Sequence, residues 1–270
     1  MLRILIVESN TPDMVERSRA DGFFAPTDCF VNAMSAMGFE IDFSYCNPYQ
    51  HSPESSVYDD LDGVIFTGSG VEWSTDAPQA EPLRDAMEAV FRRSLPTYGS
   101  CNGMQLAAVV LGGAVAHSPN GQEVGVARII RLTESLNGHP MLNGRADAYF
   151  VPTIHRDEVS VLPAGAVHLA CNSHSANQAF AYTRDGVDFW GTQYHPEMRP
   201  LDVGNCPKRD GDAFEKNAEL AEDLLRVQDD SEAAARLGTT PAEMQVESRA
   251  LELRNWLVYL DAKSRARTAA

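Results

Sequence analysis

"PTYGSCNGMQLAAVVLGG", residues Pro96 to Gly113, places a cysteine between two glycines where a short strand-like run gives way to an apolar helical one. A cysteine that only packs needs no such setting. Gly99-Ser100-Cys101-Asn102-Gly103 has the G-x-nucleophile-x-G form of a nucleophile elbow, a tight strand-to-helix turn that presents a reactive side chain at the edge of an α/β sheet. The turn crowds the backbone, which explains the flanking glycines, and the N-terminus of the next helix lends its dipole and N–H groups to the sulfur. Both effects favour a thiolate. The N–H of Asn102 is then the expected first oxyanion donor.

The flanking sequence supplies the alternation that such an elbow requires. "LRILIV" reads as a buried first strand, residues 28–37 as a helix with Phe30, Val31, Met34 and Met37 at helical spacing, and "FEIDFSY" and "LDGVIFTG" as further strands. Leu83, Met87, Val90 and Phe91 share a helical face from Pro82 to Phe91, and Leu95 to Tyr98 enters the elbow as a strand. This order predicts a parallel sheet between two helical layers. From Ala114 to Gln193 the segments "EVGVARIIRL", "AYFVP", "AVHLAC", "QAFAYT" and "VDFWGTQY" predict hairpin-like strands that extend it. After Pro200, "DVGNCPKRDGD" reads as a loop, and helices are expected at 212–237 and 241–261. Val246, Ala250, Leu253, Leu257 and Leu260 form an apolar stripe that should pack on the domain. The expected architecture is a three-layer, mostly parallel α/β catalytic domain over 1–200 with a helical extension over 201–270.

Composition narrows the function. Thirty-eight acidic against 22 basic residues give a formal charge of −16, which repels nucleic acid and anionic membranes, and no apolar run approaches the roughly 20 residues of a membrane span. Neither is expected as a partner. The five cysteines are scattered without a C-x-x-C pair, and the opening residues are too short for a signal peptide, so a reducing cytoplasm is the expected compartment. His51, His117, His139, His168 and His174 lack metal-ligand spacing, and no P-loop is present. No metal or cofactor is expected.

A thiolate needs a base, and "FWGTQYHPE" ends an apolar strand in His195-Pro196-Glu197, where the carboxylate can orient the imidazole. Cys101, His195 and Glu197 thus form a candidate triad. The turn Gly68-Ser69-Gly70 is the candidate second oxyanion loop, with Gly68 and Gly70 letting backbone approach a ligand; an ordinary strand-ending turn reads equally well.

"YGSCNGMQLAAVVLGG", "FWGTQYHPE" and "GVIFTGSGVEWSTDAP" resemble the nucleophile, histidine and oxyanion-loop segments of class I (triad) glutamine amidotransferases, nearest to the glutaminase domain of GMP synthase and its stand-alone relatives. The resemblance runs from about residue 2 to 200. It implies attack of Cys101 on a γ-glutamyl amide, protonation of the leaving nitrogen by His195, hydrolysis of a thioester, and a synthetase or amine acceptor as the partner class. Gln105 is similar to the family glutamine that holds the substrate, against a solvent-facing helix position. "IHRDEVSVLPAGA" resembles a family segment Ser-His-Gly-Asp-x-Val, so His155 and Asp157 match while Arg156 replaces a glycine. Arg156 either pairs with a substrate carboxylate or points to solvent. A γ-glutamyl peptide hydrolase is the alternative within the same chemistry; a redox or chaperone-like protein with an elbow cysteine, or a silent binding subunit, are the alternatives outside it.

Overall fold

The computed structural model describes residues 1–127, 129–133, 138–206 and 218–269. Thirteen strands are found among them: β1 (Leu2–Val7), β2 (Ile41–Cys46), β3 (Gly63–Phe66), β4 (Thr97–Ser100), β5 (Ala114–His117), β6 (Glu123–Val126), β7 (Ile130–Leu132), β8 (Ala148–Tyr149), β9 (Pro152–His155), β10 (Asp157–Val161), β11 (Val167–Cys171), β12 (Ala179–Tyr182) and β13 (Phe189–Thr192). Nine of them form one sheet in the order β2-β1-β3-β4-β13-β12-β11-β7-β8. The first five run parallel and the last four pair antiparallel. The α/β expectation holds, and the strands that lead into the candidate triad and oxyanion turn, β3, β4 and β13, lie in the parallel half.

Residue alternation in β1 explains the three layers, because successive side chains leave a strand on opposite faces. Ile4 and Ile6 join Phe30 and Met34 of the helix Pro26–Ser35, together with Leu253, Trp256 and Leu257 of the helix Leu251–Ala269. Leu5 and Val7 join Leu83, Met87 and Val90 of the helix Glu81–Phe91, together with Leu106 of the helix Asn102–Val110. A strand covered on both faces reads as a continuous apolar run, as "LRILIV" does.

Three elements differ from the expectation. Pro12–Ala20 is a helix that hydrophobic periodicity gives no sign of, since Ser18 is its one buried residue; a proline near its start is the available cue. The segment beginning "DVGN" is helical rather than a loop, over Pro200–Asn205, where Arg199 and Asp202 cap one another; its continuation at 207–212 lies outside the described residues. The helix expected at 212–237 is two, Ala218–Arg226 and Ser231–Arg236, with Asp230 capping the second, and 212–217 lie outside the described residues. Val246–Arg249 and Leu251–Ala269 follow.

The middle third is also less uniform than expected. "EVGVARIIRL" is broken into β6 and β7, with residue 128 outside the described residues, and only β7 joins the large sheet. β6 pairs with β9 and β10 with β5, two separate ladders that wall the site. Among the described residues no helix is long and apolar enough to cross a membrane.

Candidate active site

Parallel α/β sheets bind ligands outside the carboxyl ends of their strands, where the chain departs in opposite directions from neighbouring strands. Here β1 leads away to β2 on one side while β3 leads to β4 on the other, so the crevice opens between Glu8–Asn10 and Thr67–Gly70. Cys101 stands beside it. Its backbone has φ 49° and ψ −104°, a left-side conformation that non-glycine residues seldom adopt and that an elbow imposes. The Cys101 N–H donates to the Thr192 carbonyl of β13 at 2.7 Å, and Gln105 N–H returns to the Cys101 carbonyl to start the helix. A Cβ at Gly99 would stand 2.6 Å from the Gly103 carbonyl carbon, and one at Gly103 would strike the Phe66 carbonyl oxygen. The two glycines therefore set how closely strand and helix approach.

β13 brings His195 to the same edge. Its Nδ1 donates to Glu197 Oε1 at 2.7 Å and its Nε2 to the Ile154 carbonyl at 3.2 Å, while Cys101 Sγ lies 3.8 Å from that same oxygen. Both ring nitrogens thus face acceptors, an arrangement only the doubly protonated imidazolium satisfies. Burial alone would push His195 down, but the Glu197 carboxylate and the Cys101 sulfur outweigh it and hold the ring well above a histidine's ordinary range. Ser100, fully buried, donates to Glu197 at 2.9 and 3.0 Å. Cys101, His195 and Glu197 are 5%, 5% and 2% exposed, so the cluster is dry enough for its charges to act strongly.

The turn after β3 touches the cluster. A Cβ at Gly68 would lie 2.6 Å from His195 Cε1 and 3.7 Å from Cys101 Cβ, so only a glycine lets the backbone lie here. Gly70 stands differently from the expectation: its N–H donates to Asn10 Oδ1 at 2.9 Å, and Ser69 Oγ is bonded to Asn10 and Ser9. Asn10 in turn is held by buried Glu8, which accepts from its N–H and from both the N–H and hydroxyl of Thr27. Asn102 opens the helix, where N–H groups lack intrahelical partners.

Gln105 is buried rather than solvent-facing. Its amide nitrogen donates to the Asp157 carbonyl at 2.7 Å and to Gln193 Oε1 at 3.3 Å. His155 turns its ring to Glu123, 2.8 Å from Nε2; burial alone would push that carboxylate up, but bonds from His155, Asn172 and Gln178 bring it below its ordinary range. Arg156 bridges two loops, donating to both Asp157 oxygens at 3.1 Å and to the Glu72 carbonyl at 3.0 Å. Asp157 also meets His117 Nδ1 at 2.5 Å.

All ten expected site residues line one cavity of about 800 Å³. The unexpected helix Pro12–Ala20, the segment after it and the segment after β3 also line this cavity, with Met14, Phe23, Phe24, Val71 and Trp73. Three contributors escape a reading of motifs. Ser100 sits inside the elbow but carries no motif signal of its own, Ile154 acts through a backbone carbonyl, and Asn10 lies in a polar loop. Arg249 does have a cue, since it falls three residues after Val246 on an otherwise apolar stripe; its Nη1 donates to the Pro196 carbonyl.

The sequence pattern of the family described as glutamine amidotransferase class-I matches residues 27–210. Over nearly its whole length the chain is similar to a gamma-glutamyl-L-1-hydroxyisopropylamide hydrolase of Pseudomonas sp, 29% identical over an alignment of 278 positions that covers 96% of this chain and 93% of the relative. It is 33% identical over 153 residues to a glutamine-hydrolyzing GMP synthase of Symbiobacterium thermophilum, 56% of this chain but 26% of that enzyme, so the chain spans only a fraction of the GMP synthases it matches. The crystal structure of a glutamine amidotransferase from Thermotoga maritima superposes with a TM-score of 0.65 at 20% identity, covering 96% of this chain and 97% of that one.

Proposed function

The chain belongs to the class-I glutamine amidotransferase family, and from that premise we propose that it hydrolyses the γ-glutamyl amide of a small amine through a Cys101 thioester. The thiol proton resides on His195. Cys101 Sγ attacks the side-chain carbonyl carbon, and the resulting oxyanion is received by the Asn102 N–H and the backbone at Gly68. As the C–N bond breaks, His195 Nε2 gives its proton to the leaving nitrogen and the amine departs. Water then adds to the thioester carbonyl with His195 as base, and glutamate leaves as the sulfur is restored. Glu197, steadied by Ser100, keeps the imidazole oriented and charged through both halves. Gln105 and the segment His155–Asp157 form the wall for the glutamyl group. The 201–270 helices complete the same folding unit as residues 1–200.

The observation that carries this reading is the cavity. At about 800 Å³, with Met14, Phe23, Phe24, Val71 and Trp73 in the same lining as the triad, it gives an N-alkyl substituent an apolar place that ammonia as the leaving group would not use. Similarity that extends along 93% of a γ-glutamyl alkylamide hydrolase, against 26% of a GMP synthase, supports it.

The test is product analysis by mass spectrometry with L-glutamine, γ-glutamyl alkylamides and γ-glutamyl dipeptides. The alkylamides should give the highest kcat/KM, glutamate and free amine should form in equal amounts, and Cys101→Ala should abolish release while keeping the fold. Preference for glutamine would instead support ammonia supply to a separate synthetase, and preference for dipeptides a γ-glutamyl peptide hydrolase. Inertness to all three would sink the amide chemistry and favour the redox or chaperone class.

A further inference from the structure

The short helix Val246–Arg249 ends in an arginine that is 2% exposed and forms no wall of the cavity. Burying a guanidinium is costly unless its donors and charge are answered. Among the described residues Arg249 Nε has no hydrogen-bond partner, while Nη1 donates to the Pro196 carbonyl at 2.6 Å. Burial draws the guanidinium below its ordinary range; around it stand Asp202 and Glu197, which favour its charge, and Arg199, which opposes it, beside the thiol of Cys29. The Nη1 bond goes to the peptide that joins Pro196 to Glu197.

The other neighbour of His195 is tied to the same helical segment. Tyr194 donates its hydroxyl to Glu252 Oε1 at 2.7 Å, and Glu252 is locked by Arg145. Backbone bonds add to the Ser100 and Thr192 hydroxyls that donate to the Tyr194 carbonyl and to the Ser100 bonds on Glu197: His195 N–H to the Pro152 carbonyl and Met198 N–H to the His195 carbonyl. A turn through proline that must hold two side chains against a cysteine is thus gripped from behind at Pro196.

We propose that Arg249 is a positioning residue for the triad: by holding the Pro196 carbonyl it fixes the turn that sets His195 and Glu197 against Cys101. The proposal rests on the triad reading above. It assigns no substrate contact to Arg249 and makes the helices after residue 245 part of what the site needs.

The experiment compares Arg249→Met, Arg249→Lys and, as a control for loss of an ion pair on the same helical segment, Lys263→Met, which breaks the bond to Asp188. Two readouts are taken on folded protein: the rate of Cys101 alkylation by iodoacetamide at pH 7, followed on the Cys101 peptide, and kcat and KM for the best γ-glutamyl amide across pH. Misplacement of reacting groups by about 1 Å costs on the order of 100-fold. Arg249→Met should lower kcat by roughly 10- to 100-fold with little change in KM, slow alkylation several-fold, and move the alkaline limb of the kcat profile, which His195 sets among Glu197, Ser100, Cys101 and the Ile154 carbonyl. Arg249→Lys, which keeps a charged donor, should recover most of this, and Lys263→Met should match wild type in both readouts. Wild-type alkylation and kcat in folded Arg249→Met would overturn the proposal, as would equal losses in Lys263→Met. If Arg249→Met does not fold, Arg249→Gln carries the same readouts, and an unaltered profile there overturns it equally. Because alkylation requires no substrate, an error in the substrate assignment leaves this test standing.

Discussion

Two buried carboxylates flank the same stretch of chain, and they have been put to opposite uses. Glu197, facing the cavity, accepts from His195 and Ser100; Glu252, sealed beneath the sheet, accepts from Arg145 at 2.8 and 2.6 Å and from Tyr194. Each is saturated with short bonds, three of the five from charged donors. The difference lies in the partner. Histidine can release its proton within a useful pH range, whereas burial loosens the Arg145 proton less than Glu252 tightens it, so the guanidinium stays charged. Arg145 also takes Glu252 with two nitrogens and leans over the Tyr149 ring at 4.6 Å. A fork that holds both oxygens fixes structure; a single nitrogen with a reactive sulfur beyond it can move a proton.

The sharpest way to break this contrast is to neutralise each carboxylate in turn. Glu252→Gln leaves Arg145 charged and buried without a counter-charge, which should cost about 3 to 5 kcal/mol of stability and roughly 10 °C in Tm, read by denaturant and thermal unfolding. Glu197→Gln should unfold near wild-type conditions but lose about 10²- to 10³-fold in kcat, about 3 to 4 kcal/mol of transition-state stabilisation. If Glu197→Gln proved the more destabilising of the two, the division of labour argued here would be reversed.

A pH series sharpens the same comparison more gently. The folded state holds the His195 proton more tightly than the unfolded chain, whose value is near a histidine's ordinary 6.5. The stabilisation this gives is complete below that value and fades as pH rises through the elevated folded one. Wild-type Tm should therefore fall on the alkaline side of neutrality, and Glu197→Gln should shift the fall to lower pH. Arg145, held above an arginine's ordinary range, keeps its proton throughout. A wild-type Tm that stays level through pH 9 would contradict the charged His195.

The smallest effect is expected at Arg156, whose side chain is 44% exposed and shared between Asp157 and the Glu72 carbonyl. Exposed pairs of this kind contribute about 0 to 1 kcal/mol. Arg156→Gly should change the ratio of kcat/KM for glutamine and a γ-glutamyl dipeptide by less than about tenfold. A larger shift would mean that the guanidinium leaves Asp157 to take a substrate carboxylate.

How much of this the sequence discloses depends on whether a residue is constrained locally. The elbow is legible because its need for glycine on both sides is met within five residues, and the strands β1 and β3 because burial on both faces leaves them almost wholly apolar. The histidine strand is legible for the same reason. Pro12–Ala20 is not, since its outward face is charged and its inward face borders an open cavity rather than a core. Gly70 was a reasonable candidate for its flexibility, yet which N–H is bonded depends on Asn10, sixty residues away in the chain. Ile154 leaves no trace because any residue supplies a carbonyl. Arg249 and Glu252 break an apolar stripe, a cue that says a charge is buried but not what it grips.

One consequence follows from the way β1 is covered. Ile4 and Ile6 precede part of their cover, Trp256 and Leu257, by some 250 residues of chain. At ribosomal speeds of about 5 to 20 residues per second, that apolar face waits on the order of ten to fifty seconds. During that interval the nascent chain presents part of a core to solvent or to a chaperone. The nucleophile is synthesised early, but the enzyme is born late, when the distant helix closes over its opening strand.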